Sequence, residues 1–249
     1  MEGRVTTDHL KTIIIFPFQD ERWVSKLLVA CVWVFLGFIP VLPYILLLGY
    51  VALIILEVVE EGEPALPAWD DLSRIFTHGS RLFGVGFVFF LPFLLLMVLG
   101  YGVMILSIFS MESNLISEGV GIFSVLGSYL AGFGLIGLGV LLAFGTSVFL
   151  PVAGCHAVVE RDFSAGFRFK EWWPIFRANW DGFLISFVLL FGGGMVAYYA
   201  TQFLVFTVVL CCLYPIVMGV LSVYLLIVGA ALFAQAYRTG REEVTVAAA

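Results

Sequence analysis

Charge is what this sequence has least of. Only 12% of its 249 residues are Asp, Glu, Lys or Arg, while 62% are hydrophobic; a soluble domain carries roughly 25% charged residues. The charges are clustered, which leaves uncharged runs at 27–56, 82–111, 119–159 and 182–237. Each is longer than the roughly 20 residues that cross a bilayer core. The runs also lack the strict alternation of a membrane β-strand, which excludes a barrel. Lipid cannot satisfy open backbone groups, so these runs are helical wherever they meet the tails.

Other absences narrow the chemistry. Cys31, Cys155, Cys211 and Cys212 lie in or beside apolar runs and have neither metal-finger spacing nor the pattern of a disulfide framework; they are expected as small packing residues. No GxSxG, HExxH, phosphate-loop, dinucleotide or haem-attachment motif occurs, so enzyme function is disfavoured and no catalytic or metal-binding residue is assigned. Nothing resembles a basic nucleic-acid surface, and the net charge of −6 does not indicate a partner. The first 26 residues carry too many charges, and the first apolar run is too long, for a cleavable signal.

What is present predicts an all-α, polytopic integral membrane bundle with about six transmembrane helices, forming a single membrane domain over 1–249. Pro40 and Pro43 split the first run into helices of about 24–40 and 43–60 after an N-terminal segment of 1–23. This pair either crosses fully or re-enters; both options return the chain to its starting side. The next helix spans about 81–109. A crossing at about 133–158 follows a glycine-rich interfacial or re-entrant piece at 119–131. Two helices of about 181–200 and 204–236 part near Thr201-Gln202, Pro215 is expected to kink the last, and 237–249 is a tail.

Six crossings place the N-terminus, 60–81, 159–181 and the tail on one side. These segments hold four, two, four and two basic residues, all 12 in the chain. The positive-inside rule then predicts both termini in the cytoplasm, an asymmetry that seven crossings would split. Trp23, Trp69, Trp172, Trp173, Trp180 and Tyr237 fall near the same boundary, as interface anchors.

The two longer connections carry their own signals. In Leu66-Pro67-Ala68-Trp69-Asp70-Asp71-Leu72 a turn precedes a helix start that Asp70 or Asp71 can cap. The second connection, with Phe163, Phe167, Phe169, Trp172 and Trp173 among Arg168, Lys170 and Arg177, predicts an aromatic–basic helix among lipid headgroups. The connections also align at a separation of 100 residues, Ile75-Phe76 with Ile175-Phe176 and Phe83 with Phe183. Any such repeat would be parallel.

These landmarks resemble an uncharacterised family of bacterial and archaeal multi-pass membrane proteins. The resemblance rests on Phe16-Pro17-Phe18-Gln19-Asp20 with Trp23 and Lys26, on Gly49-Tyr50 followed by the Leu-Pro-x-Trp-Asp-Asp signature at 66–71, and on the Phe-rich stretch 163–169. The family pattern has an acidic residue where this chain has Ala68. The resemblance implies a multi-pass protein of a prokaryotic cell membrane and supplies no catalytic residues.

Ionisable groups at membrane depth are costly and usually functional, and few occur. Glu57 lies near the inner end of the second helix. His156 and Glu160 can share a helix face four residues apart, beside Cys155, without completing a three-ligand metal set. His78 is expected to face headgroups. Gly132, Gly137, Gly139 and Gly192-Gly193-Gly194 allow close helix approach or room for a partner. The expected function is a non-catalytic structural or accessory subunit of a larger membrane complex; the alternative is a small transporter or lipid-handling protein. Membrane lipids and other integral subunits are the expected partners, and no motif names a cofactor.

Overall fold

The structure is a computed structural model that describes residues 7–112, 118–205 and 211–248. Among the described residues eight α-helices follow one another: α1 (Thr7–Ile15), α2 (Trp23–Phe35), α3 (Leu42–Glu60), α4 (Leu72–Glu112), α5 (Glu118–Val159), α6 (Phe169–Ala178), α7 (Trp180–Val205) and α8 (Tyr214–Ala248). No strand occurs among the described residues. Five of the helices (α3, α4, α5, α7 and α8) are long and apolar enough to span a membrane, and Trp23–Phe38 forms a shorter apolar helical segment. The chain is a polytopic membrane helical bundle.

The proline-marked turn is sharp. Leu42 N–H bonds the Pro40 carbonyl at 2.9 Å, and Val41 between them takes φ +73 and ψ −57. That is a positive-φ γ-turn, a rare and strained form that a β-branched residue seldom adopts. Pro43 follows in the first turn of α3, where its missing N–H costs nothing.

Several expected boundaries move. Residues 119–131 belong to α5 as one uninterrupted helix, not to a separate re-entrant piece. Glycine weakens a helix by only about 1 kcal/mol per residue in water, and in lipid an unwound segment would forfeit backbone hydrogen bonds. Likewise α7 continues through Thr201-Gln202 to Val205. Pro215 is the second residue of α8, so it starts that helix instead of kinking it. The expected tail from 237 is helical as far as Ala248. The polar connection at 110–118 lies partly outside the described residues.

The chain forms two compact units, 1–85 with 151–249, and 86–150. In the first, α3 is the buried helix: 72% of its apolar window is covered, with α8, α2 and the start of α4 among the elements packed on it. Two glycine crossings build this unit. A Cβ on Gly49 would lie 1.9 Å from the Ile75 carbonyl oxygen, and one on Gly79 would lie 1.9 Å from that of Ile45. On the other side a Cβ on Gly240 would lie 2.4 Å from the Ile175 oxygen, while Asn179 donates its amide to the Ala236 carbonyl at 2.9 Å. The matched positions 75 and 175, and 79 and 179, thus meet α3 and α8 through equivalent four-residue ladders. Val58-Val59-Glu60 and Val158-Val159-Glu160 match at the same separation and close α3 and α5.

The second unit is a helical hairpin drawn from α4 and α5. A Cβ on Gly100 would meet the Gly132 carbonyl oxygen at 2.8 Å, and one on Gly132 would meet that of Gly100 at 2.8 Å. Gly139 packs on Phe93 and Leu96. Around this seam Leu95, Val98, Leu106, Phe123, Leu130 and Leu141 point outward, as lipid-facing residues do.

Candidate functional site

Two polar clasps at the charged end of the first unit hold the side chains with chemical potential. The first starts at Lys26, whose ammonium donates to the Asp20 carboxylate and to the Leu66 carbonyl, both at 2.6 Å. Its own carbonyl accepts the Trp69 indole N–H at 3.1 Å. Trp69 lies flat on Tyr50, with ring centroids 4.3 Å apart and planes within 1°. Asp71 accepts the Arg74 N–H at 2.9 Å and caps α4. Segments around residues 20, 26, 50 and 66–71, far apart in sequence, are therefore one cluster. With the ammonium committed to two acceptors, the arrangement fastens a loop and offers no free nucleophile. The Tyr50 hydroxyl is buried without a hydrogen-bond partner among the described residues.

The second clasp joins α5, α6 and α8. His156 Nδ1 lies 2.8 Å from the Tyr237 hydroxyl and Nε2 lies 3.1 Å from Glu171. An ionised carboxylate only accepts, so Glu171 holds the ring proton on Nε2, and Nδ1 accepts from Tyr237. Arg168 braces the rim through Asp162, Ser164 and Glu171, and Trp172 donates to the Gly166 carbonyl at 3.1 Å. The expected pairing of His156 with Glu160 does not form: Glu160 turns to Arg241 at 3.9 Å. Tyr237 and Trp172 were expected among the interface anchors, yet both are buried inside the bundle, because each finds an internal polar partner there. Their positions near the charge boundary resembled those of true anchors, and the sequence carried no signal for the difference.

Other marked residues stay apart. Glu57 is half-buried near the end of α3, and Cys31 and Cys155 are buried, unbridged thiols. His78 is also buried instead of facing headgroups, and its Nδ1 has no partner among the described residues. No group of three His, Cys, Asp or Glu side chains among the described residues could hold a metal ion. Beside Gly194, Leu190, Met195, Tyr198, Met218 and Leu225 line an apolar groove of about 570 Å³.

Two expected results follow from the clasps. Tyr237→Phe leaves His156 Nδ1 buried and unsatisfied, at a cost of about 1–3 kcal/mol; denaturant or thermal unfolding in detergent measures it, and His156→Phe should add little once Tyr237 is gone. Acid should also loosen this end. The Asp20 carboxyl is held low by its Lys26 hydrogen bond, Asp162 by Ser164, and Glu171 by His156. Groups with depressed folded values stabilise fully above their ordinary values of 3.8 and 4.5, and that contribution disappears as pH falls through the folded values. The unfolding midpoint should hold steady from pH 7 to about 5 and drop below about 4.

No curated protein and no solved structure matches the chain. A family model described as a protein of unknown function, DUF4013, matches residues 32–206. That covers Gly49-Tyr50, the turn at 66–71 and the Phe-rich stretch at 163–169, well over half of the sequence, and the chain belongs to the DUF4013 family.

Proposed function

We propose that the protein is a non-catalytic accessory subunit of a larger complex in a prokaryotic cell membrane, with both termini in the cytoplasm. The observation that carries this reading is a division among its glycines. Those of the first unit's crossings are filled by neighbouring backbone, as at Gly49, Gly79 and Gly240. In the hairpin unit, Gly86, Gly102, Gly127, Gly134, Gly137 and Gly145 have nothing within 4 Å of where a Cβ would stand. Outward glycines gain nothing from lipid and weaken a helix, whereas they let another helix approach closely. The Lys26 ammonium and the His156 ring are each committed to partners within the chain, which suits a scaffold better than a reaction centre.

Gentle purification from the source membrane, followed by mass spectrometry of co-purifying chains, tests the proposal. A stoichiometric partner that is lost on Gly134→Leu but kept on an exposed first-unit change such as Tyr44→Phe supports it. A partner-free protein that carries bound lipid refutes it and favours lipid handling, the second reading, for which the groove beside Gly194 speaks.

A further inference from the structure

Four arginines at the charged end are answered by carboxylates; among the described residues Arg22, Arg74, Arg81 and Arg177 are not, and of these only Arg74 and Arg81 stand on one helix. Arg161 reaches Glu60 at 3.3 Å, Arg168 holds Asp162 and Glu171, Arg238 pairs with Glu242, and Arg241 with Glu160. Arg74 and Arg81 on α4 pair with no carboxylate among the described residues. They stand four residues before and three after His78, so all three share one helix face. The guanidiniums of Arg81, Arg74 and Arg161 and the carboxylate of Glu60 all act electrostatically on His78. Three cations thus surround His78 with two carboxylates in reach, and both are engaged: Glu60 by Arg161, and Asp162, which also feels Arg81, by Arg168 and Ser164.

Arg161 is also placed at a conformational cost. It takes φ +53, a left-handed backbone that residues other than glycine seldom adopt, and this tight turn after α5 brings its side chain to Glu60 from a position 101 residues away. Beside the cluster the exposed Phe163 ring packs at Gly84, three residues after Arg81, where it lies 2.8 Å from a Cβ position, so the loop that carries Arg161 reaches this part of α4. An excess of guanidinium beside an exposed aromatic side chain, at the end of a membrane helix, has the chemistry of a headgroup site: Arg forks match phosphate oxygens, and the apolar ring faces the chain.

We propose that Arg74, Arg81 and Arg161, arrayed over His78, bind a phosphate-bearing anion, with the headgroup of an anionic phospholipid as the source favoured by the site's place. The site is independent of the accessory role proposed above.

The test uses the full chain in a neutral detergent, with phosphatidylglycerol, phosphatidylcholine or inorganic phosphate added and bound species counted by native mass spectrometry. Wild-type protein should retain phosphatidylglycerol over phosphatidylcholine. Arg74→Gln/Arg81→Gln should lose at least about tenfold in retention, because each basic residue near an anionic surface is worth roughly fivefold. Arg238→Gln/Arg241→Gln removes the same charge from two arginines already paired with Glu242 and Glu160, and should change retention less than about threefold. Arg74→Lys/Arg81→Lys keeps the charge and should restore part of the binding, which separates binding from misfolding. Displacement of the lipid by millimolar inorganic phosphate would keep the phosphate site and make free phosphate its source. Equal retention of both lipids, or equal losses from the two double glutamine variants, would overturn the site.

Discussion

Gly49→Ala should abolish the folded bundle. The added methyl would stand 1.9 Å from the Ile75 carbonyl oxygen, 2.7 Å from its carbonyl carbon and 2.8 Å from its side chain. The first two obstacles are backbone, so no rotamer change relieves them; α3 and α4 would have to separate. Separation also strips contact from Gly79, whose own Cβ position is 1.9 Å from the Ile45 oxygen and 2.7 Å from Gly49 N. Overpacking a core usually costs about 1–3 kcal/mol, and a backbone-to-backbone clash on the most buried helix lies above that range. The expected result is loss of monodisperse protein on gel filtration in mild detergent. Gly137→Ala is the matched control: nothing lies within 4 Å of its Cβ position, so it should leave stability unchanged or raise it by up to about 1 kcal/mol through helix propensity.

Trp69→Ala should cost about 2–4 kcal/mol, somewhat below the roughly 3–5 kcal/mol for truncating a fully buried large aromatic side chain, since Trp69 is only half-buried. Three losses combine in it. The flat stack on Tyr50 disappears, the Lys26 carbonyl loses its indole donor, and the loop that presents the Leu66 carbonyl to the Lys26 ammonium loses its anchor. Trp69→Phe separates them, because it retains an aromatic face on Tyr50 without the N–H. It should recover roughly half the loss, given about 0.5–1.5 kcal/mol for an aromatic pair and a similar net value for one hydrogen bond. Unfolding of both variants in detergent, followed by the fluorescence of the remaining tryptophans, measures this. Equal loss from Ala and Phe would place the whole effect on the hydrogen bond.

The landmarks of the first clasp were visible in sequence as separate motifs, and their convergence was not. Lys26 looked like a boundary charge and Trp69 like an anchor; their partners lie 40 and 43 residues away. The helix start was legible to within one residue, with Asp70 or Asp71 as its cap, because capping is a local exchange; the structure gives it to Asp71 and the Arg74 N–H. His156 shows the opposite case. A spacing of four residues pointed to Glu160, but the ring found Glu171 and Tyr237, 15 and 81 residues away. Local spacing says which groups can meet, and helix packing decides which do.

The same division holds for the whole protein. Its sequence alone determined that the chain is helical and built for a membrane, since uncharged runs of that length have no other stable solution in lipid. It also marked where charge gathers, because the cost of carrying charge into lipid is set by residue type and not by neighbours. Only the tertiary structure decided which glycines are filled and which stand open, for a glycine is identical in sequence whether a backbone or the bilayer faces it. It likewise left Arg74 and Arg81 without carboxylates while pairing their neighbours, because pairing depends on which helix ends the two glycine crossings bring together.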